Sequence, residues 1–175
     1  MNPLLGYSTS PLELLLPSGR VVSIAACFRC FKLWRGTPIR DTYGGKAVLD
    51  YNGEPLFAEL AILRLIQDNG WQGAWIDTYR KRFRQSLPPH FCDLPPHAQD
   101  FLDKANQGRK WRSGCSDVLA WSDGRYLFVE AKRRGQDAIR DTQREWLESA
   151  LNSGLPLESF LIFEWGISDA KPIAD

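Results

Sequence analysis

Three charged residues in the last third of the sequence, Asp117, Glu130 and Lys132, have the types and spacing of a cation-binding site. Side chains alternate between the two faces of a strand, so Glu130 and Lys132 in the run RYLFVEAK share one face. Asp117 opens the preceding run SDVLAW, and the short connection at residues 122–124 predicts a hairpin that brings these strand ends together. Neighbouring carboxylates repel each other, and a hard divalent cation such as Mg²⁺ would relieve that repulsion.

Two more polar residues interrupt helix faces that are otherwise apolar. Gln143 falls inside the apolar stripe of its predicted helix, and Glu59 lies three, four and seven residues before Ile62, Leu63 and Ile66. Polar side chains on faces that should be buried often belong to functional sites. The alternatives are a core glutamine bonded to backbone and a carboxylate favoured by the helix dipole.

The elements that must position these residues predict an α/β (α+β) fold, with a mixed sheet flanked by helices. Periodicity and turn residues predict helices over residues 56–69, 97–107 and 137–153 and strands over residues 21–28, 73–79, 116–121, 125–132 and 159–165. From residue 56 the main elements follow the order αβββαβ. We therefore predict a core at 56–166 with an insertion at 80–113, an N-terminal extension at 1–55 packed on the core, and a tail at 167–175.

Composition limits the classes of protein that this chain can belong to. With 175 residues, 43% hydrophobic and 25% charged, it is predicted to be an ordinary globular domain. No run of about 18 apolar residues predicts a membrane span, and the first 20 residues make a poor secretion signal. The four cysteines do not form the dense framework of a small secreted fold, so we expect free thiols in a reducing cytoplasm.

A zinc site is the alternative use of the cysteines. Cys27 and Cys30 have the C-x-x-C spacing, and His90, Cys92 or His97 would have to complete the ligand set. Because no second C-x-x-C is present and the other spacings are long and irregular, free cysteines are the favoured interpretation.

The order of the polar residues resembles a known nuclease family. Asp117 followed by Glu130-Ala131-Lys132 is similar to the PD-(D/E)xK signature of restriction-endonuclease-like nucleases. The fuller pattern over residues 56–166 resembles the virus-type replication–repair nuclease branch, VRR-NUC, through Glu59, Gly114, Gln143, Trp146, Leu147 and the closing strand FLIFEW. Ser116 departs from this pattern, since the family usually has a proline there that shapes the start of the strand and is not a ligand.

This resemblance implies a restriction-endonuclease-like core and a DNA nuclease that uses Mg²⁺ or Mn²⁺. By position, Glu59, Asp117 and Glu130 would be metal ligands, with the backbone carbonyl of Ala131 as a further ligand. Lys132 would orient or activate the attacking water, and Gln143 would support the site. The family also implies a structure-selective role in repair or replication and a homodimer, and RNA stays open as a substrate.

Basic residues cluster along the chain although the formal net charge is only +1. Local patches matter more to a phosphate backbone than the total charge does. Such runs are also typical of solvated faces, but beside a nuclease site they are candidates for phosphate contacts. The candidates for nucleic-acid binding are Arg80, Lys81, Arg82, Arg84, Lys110, Arg112, Arg133, Arg134 and Arg140.

Two other functions stay open from the sequence. One is a DNA-cleaving toxin or phage-defence effector with the same chemistry, which would have an inhibitor protein as its partner. The other is a nucleic-acid-binding module that has lost catalysis, and the intact acidic set argues against it.

Overall fold

The architecture is a large mixed sheet with helices on both faces, described in a computed structural model for residues 2–110 and 113–168. The helices are α1 (Ala58–Asp68), α2 (Pro96–Asn106) and α3 (Asp141–Asn152). The strands are β1 (Leu12–Leu15), β2 (Val21–Leu33), β3 (Leu49–Tyr51), β4 (Glu54–Leu56), β5 (Gln72–Asp77), β6 (Arg82–Arg84), β7 (Val118–Ser122), β8 (Arg125–Arg133) and β9 (Phe160–Ile167). None of the described helices is long and apolar enough to cross a bilayer.

The strand order is β4-β3-β2-β9-β8-β7-β5-β6, and β1 also pairs with β2. β7 and β8 form the predicted antiparallel hairpin, whereas β8 and β9 pair in parallel. The prediction of a mixed sheet flanked by helices is therefore confirmed. β9 lies between two parallel neighbours, which explains its nearly continuous apolar run.

The N-terminal segment contributes strands to this sheet. Residues Ala25 to Phe31 of β2 pair in parallel with residues Leu161 to Ile167 of β9. The strand predicted over residues 21–28 extends to Leu33, because its second half continues this pairing and then meets β3. The segment therefore extends the central sheet instead of only covering it.

The alternation of β8 divides the core between the two faces of the sheet. Leu127 and Val129 pack in the core on the α1 side, and Phe128 packs with Trp146 of α3 on the other side. The ring centroids of Phe128 and Trp146 are 5.0 Å apart. The shared face predicted for Phe128 and Glu130 is thus the α3 face.

The helix predicted over residues 137–153 begins only at Asp141. Asp137 accepts a hydrogen bond from the backbone N–H of Arg133 at 2.8 Å and so closes a turn directly after β8. This bond between side chain and backbone offers the chain an alternative to the helix, and Arg140 then enters α3 in an extended conformation.

Candidate active site

Asp117 is fastened to the strand that carries Glu130 and Lys132. It immediately precedes β7, whose first residue Val118 pairs with Val129 of β8. Its Oδ2 accepts a hydrogen bond from the backbone N–H of Ala131 at 2.9 Å. The hairpin thus brings the Asp117 carboxylate to the segment from Glu130 to Lys132, as the sequence predicts.

Glu130, Lys132 and Gln143 form a buried hydrogen-bonded cluster on the α3 face. Their exposed fractions are 7%, 8% and 6%, respectively. Lys132 Nζ lies 3.0 Å from Glu130 Oε1 and donates to Gln143 Oε1 at 3.0 Å, while Gln143 Nε2 donates to Glu130 Oε1. Gln143 also accepts from the backbone N–H of Arg140 at 2.9 Å, so its amide orientation is fixed from three sides.

Gly114 sets the distance between this cluster and the start of α3. The residue has a φ of +80°, and a Cβ added there would lie 2.0 Å from the carbonyl oxygen of Thr142 and 3.1 Å from the backbone nitrogen of Gln143. Only glycine allows this approach of the two backbones. Gly114 therefore lets the chain before Asp117 pack directly against the turn that presents Gln143.

The electrostatics of the two strand carboxylates reflect burial and mutual repulsion. The pKa of Asp117 is raised to about 6, mainly by burial and also by the nearby Glu59, while the Ala131 N–H, Lys46 and Lys132 act to lower it. Burial also raises the pKa of Glu130 well above its ordinary value, and Asp117 adds to that rise. The protonation of Asp117 is therefore coupled to the charges of both Glu59 and Glu130.

Glu59 approaches from the first turn of α1 and is paired with Lys46. The Lys46 ammonium contacts Glu59 Oε1, and the side chain of Glu59 is 12% exposed. Both residues line a cleft of about 270 Å³ together with Ala131, Arg133, Gln136 and Asp137. Glu59 thus lies at the same cleft as the Ala131 end of β8.

Each of the three acidic residues already has a donor from the protein. Within residues 2–110 and 113–168, no three His, Cys, Asp or Glu side chains are gathered tightly enough to coordinate an ion. The donor chemistry nevertheless fits a hard cation, because carboxylates and a backbone carbonyl are oxygen ligands. Burial, with the neighbouring carboxylates as a second cause, raises the pKa of Asp117 and of Glu130, and a bound cation would favour their charged forms.

One of the residues predicted to contact nucleic acid is buried in the structure. Arg84 is only 4% exposed, and its Nε donates to Asp77 Oδ2 at 2.8 Å. Because its guanidinium is buried and paired with Asp77, Arg84 is not available to contact a phosphate, contrary to the prediction from the sequence. Arg80 is similarly engaged, since its two terminal nitrogens donate to Asp41 at 2.6 and 2.9 Å.

Other predicted basic residues lie nearer the surface. Arg133 lines the cleft, Arg140 is exposed at the start of α3, and Arg134 pairs with Glu164 at 2.8 Å. Arg112 lies outside the described residues. Lys81, Arg82 and Lys110 are exposed.

A network around Tyr43 was not predicted from the sequence. The Tyr43 hydroxyl donates to Asp77, and its ring packs 5.7 Å from that of Phe57 and 5.6 Å from that of Trp75. The tripeptide Asp-Thr-Tyr occurs at 41–43 and at 77–79, and these two copies are the segments that meet here. Asp77 ends the apolar run GAWID, and this aspartate is the sequence feature that could have indicated the network.

The cysteines do not assemble into a zinc site. Cys27 and Cys30 are three residues apart on β2, so they point to opposite faces, with Cys27 buried and Cys30 exposed. The backbone of Cys92 forms an isolated antiparallel β-bridge with Phe83 of β6, a strand at the far edge of the sheet from β2. His97 is exposed beside Tyr126. The spacing of Cys27 and Cys30 is therefore that of two independent thiols.

Comparison with protein families gives a match. The family model described as the VRR-NUC domain matches residues 72–160, which is just over half of the chain. The matched range includes Asp117, Glu130, Lys132 and Gln143 but neither Glu59 nor Lys46. No curated protein and no solved structure matches the chain.

Proposed function

Because this chain belongs to the VRR-NUC family of nucleases, which have a restriction-endonuclease-like fold, we propose that it is a metal-dependent hydrolase of DNA phosphodiester bonds. The observation that carries this proposal is the buried cluster of Glu130, Lys132 and Gln143 beside Asp117. Burying an ammonium and carboxylates together costs free energy, and such groups are retained where they have a function.

Asp117, Glu130 and Glu59 would hold the cation, Mg²⁺ or Mn²⁺, with the carbonyl of Ala131. Lys46 contacts Oε1 of Glu59, so a cation bound at that oxygen would compete with the ammonium. When bound, the cation supplies a Lewis acid for a phosphoryl oxygen and makes its bound water more acidic.

The protein's own residues would position the substrate and stabilise developing charge. Lys132 places a fixed ammonium beside Glu130, where it would favour the negative charge that develops as the phosphodiester is attacked. Gln143 holds both side chains through its amide and keeps the ammonium from turning away. Arg133 in the cleft and Arg140 at the start of α3 are suited to contact flanking phosphates.

Cleavage assays on the purified chain test this proposal. The DNA panel is supercoiled plasmid, linear duplex, a flap and a four-way junction, each with Mg²⁺ or Mn²⁺ and with EDTA. We expect cleavage only with the metal, and a loss of at least about 100-fold in Asp117→Asn, as for other lost transition-state contacts. Asp123→Asn is the matched control, since the side chain of Asp123 is 87% exposed in the turn at the other end of the same hairpin.

The panel also reports which DNA form is cut and therefore whether the enzyme selects structured substrates. Cleavage that persists in EDTA, or that is equal in wild type and Asp117→Asn, would contradict the proposal. Binding of the same DNA without any cleavage in Mn²⁺ would instead identify a binding module.

A further inference from the structure

Lys46 enters the site from a part of the chain that the family match does not cover. It lies between β2 and β3, and its ammonium contacts Glu59 Oε1. The same ammonium lies 5.0 Å from the ring centroid of Trp75 and 5.7 Å from that of Phe57. Aromatic faces attract a cation at such distances, so the ammonium has three favourable contacts at one place.

The segment that carries Lys46 is fixed to the protein at Asp41 and at Tyr43. Asp41 holds both terminal nitrogens of Arg80, and the Tyr43 hydroxyl donates to Asp77. Asp77 is itself 2% exposed and paired with Arg84. Lys46 is therefore held at the cleft by a built network and is not a chance contact of an exposed loop.

We propose that Lys46 is a further residue of the active site. Its ammonium occupies the position on Glu59 that a metal ion would take, and it is displaced when that ion binds. This inference rests on the proposed function. An ammonium and a divalent cation on the same carboxylate repel each other, so each weakens the binding of the other to Glu59.

The affinity for Mn²⁺, measured by titration calorimetry, tests this assignment. Lys46→Met keeps a long, unbranched apolar side chain but removes the competing charge. We expect it to bind Mn²⁺ at least about fivefold more tightly than wild type, on the scale of one partly exposed ion pair. Lys46→Arg keeps the charge, and Lys104→Met removes an exposed lysine in the last turn of α2, so both should bind within about twofold of wild type.

Thermal unfolding in EDTA gives a second measurement. Lys46→Met should unfold at a lower temperature than wild type, because Glu59 loses its partner, and Mn²⁺ should raise its melting temperature by more than it raises that of wild type. If wild type binds Mn²⁺ and Lys46→Met binds it equally or more weakly, the role of Lys46 is refuted and the proposed function stands. If neither protein binds Mn²⁺, the proposed metal dependence fails and this inference fails with it.

Discussion

The Asp117 carboxylate accepts a hydrogen bond from the backbone N–H of Ala131 at 2.9 Å, which ties the first acidic residue of the site to the strand that carries the second. Ala131 lies between Glu130 and Lys132, whose side chains turn to the α3 face, while Ala131 itself faces the cleft that Glu59 lines. Asp117 is therefore held beside Ala131, close both to the cluster on the α3 face and to Glu59 in the cleft.

Glu130 and Lys132 should behave as one unit in folding. Breaking a buried ion pair by removing one partner costs about 3–5 kcal/mol, because the other charge stays buried alone. We expect Glu130→Gln and Lys132→Met each to lower the free energy of unfolding in EDTA, and the double variant to lose less than the sum. Urea unfolding of the four proteins gives the coupling, expected at about 1–3 kcal/mol. Strictly additive losses would show that the two side chains do not interact.

Gly114 should tolerate no larger residue. In Gly114→Ala the new Cβ would lie 2.0 Å from the Thr142 carbonyl oxygen, so the start of α3 and Gln143 must move. Gly108→Ala is the matched control, because Gly108 has a φ of +70° and nothing within 4 Å of the added Cβ. Thermal unfolding should show a loss of about 1 kcal/mol for Gly108→Ala and at least about 2 kcal/mol more for Gly114→Ala.

In DNA cleavage assays, Gly114→Ala should also lose more than about tenfold in kcat, whereas Gly108→Ala should stay near wild type, because only the former displaces Gln143. Equal stabilities of the two variants would mean that the close approach to Thr142 is not maintained in solution.

The stability of the metal-free protein should decrease as pH rises through about 6. The folded protein holds a proton on Asp117 up to a pKa of about 6, whereas the ordinary value is 3.8, so the unfolded chain releases that proton at lower pH. The stability contributed by the protonated group is complete below about pH 4 and is lost as pH rises to about 6, a change of about 3 kcal/mol. The raised pKa of Glu130 acts in the same direction.

Asp117→Asn isolates this effect from the other titrating groups. The difference in unfolding free energy, wild type minus variant, should fall between about pH 4 and 6.5 in EDTA, and Mn²⁺ should reduce that fall. A difference that rises over the same range would mean that the pKa of Asp117 is lowered by folding.

The Asp77–Arg84 pair should matter far more to stability than a surface pair of the same kind. Both side chains are almost fully buried, at 1% and 4% exposure, and Nε lies 2.8 Å from Oδ2. Arg84→Met should therefore cost about 3–5 kcal/mol. The exposed pair of Arg125 and Asp123, 3.5 Å apart, provides the comparison, and Arg125→Met should cost at most about 1 kcal/mol in urea unfolding. Similar losses in both variants would be inconsistent with the burial of Arg84.

Much of the site could be predicted from local patterns. The alternation of a strand places Glu130 and Lys132 on one face, and a short connection between two strands fixes which ends of a hairpin meet. The helical period identified Gln143 as a polar residue on a buried face, and it is 6% exposed in the cluster. These relationships depend only on residues close together in the sequence.

Contacts between distant segments could not be predicted in this way. Arg80 and Arg84 read as part of a basic surface because a run of arginines looks the same whether or not aspartates cover it. Their partners are Asp41, 39 residues away, and Asp77 in the preceding strand. Only the folded chain determines which charges are neutralised inside the protein and which remain for a substrate.

The sequence by itself determined the types of the catalytic candidates, their order and the faces they share, because period and turn chemistry are local properties. The tertiary structure decided that β2 joins β9 in parallel, that the segment between β2 and β3 carries Lys46 to Glu59, and that Arg84 is buried. The physical reason is that pairing between distant strands, and between distant charges, depends on the packing of the whole chain. No short stretch of sequence determines that packing.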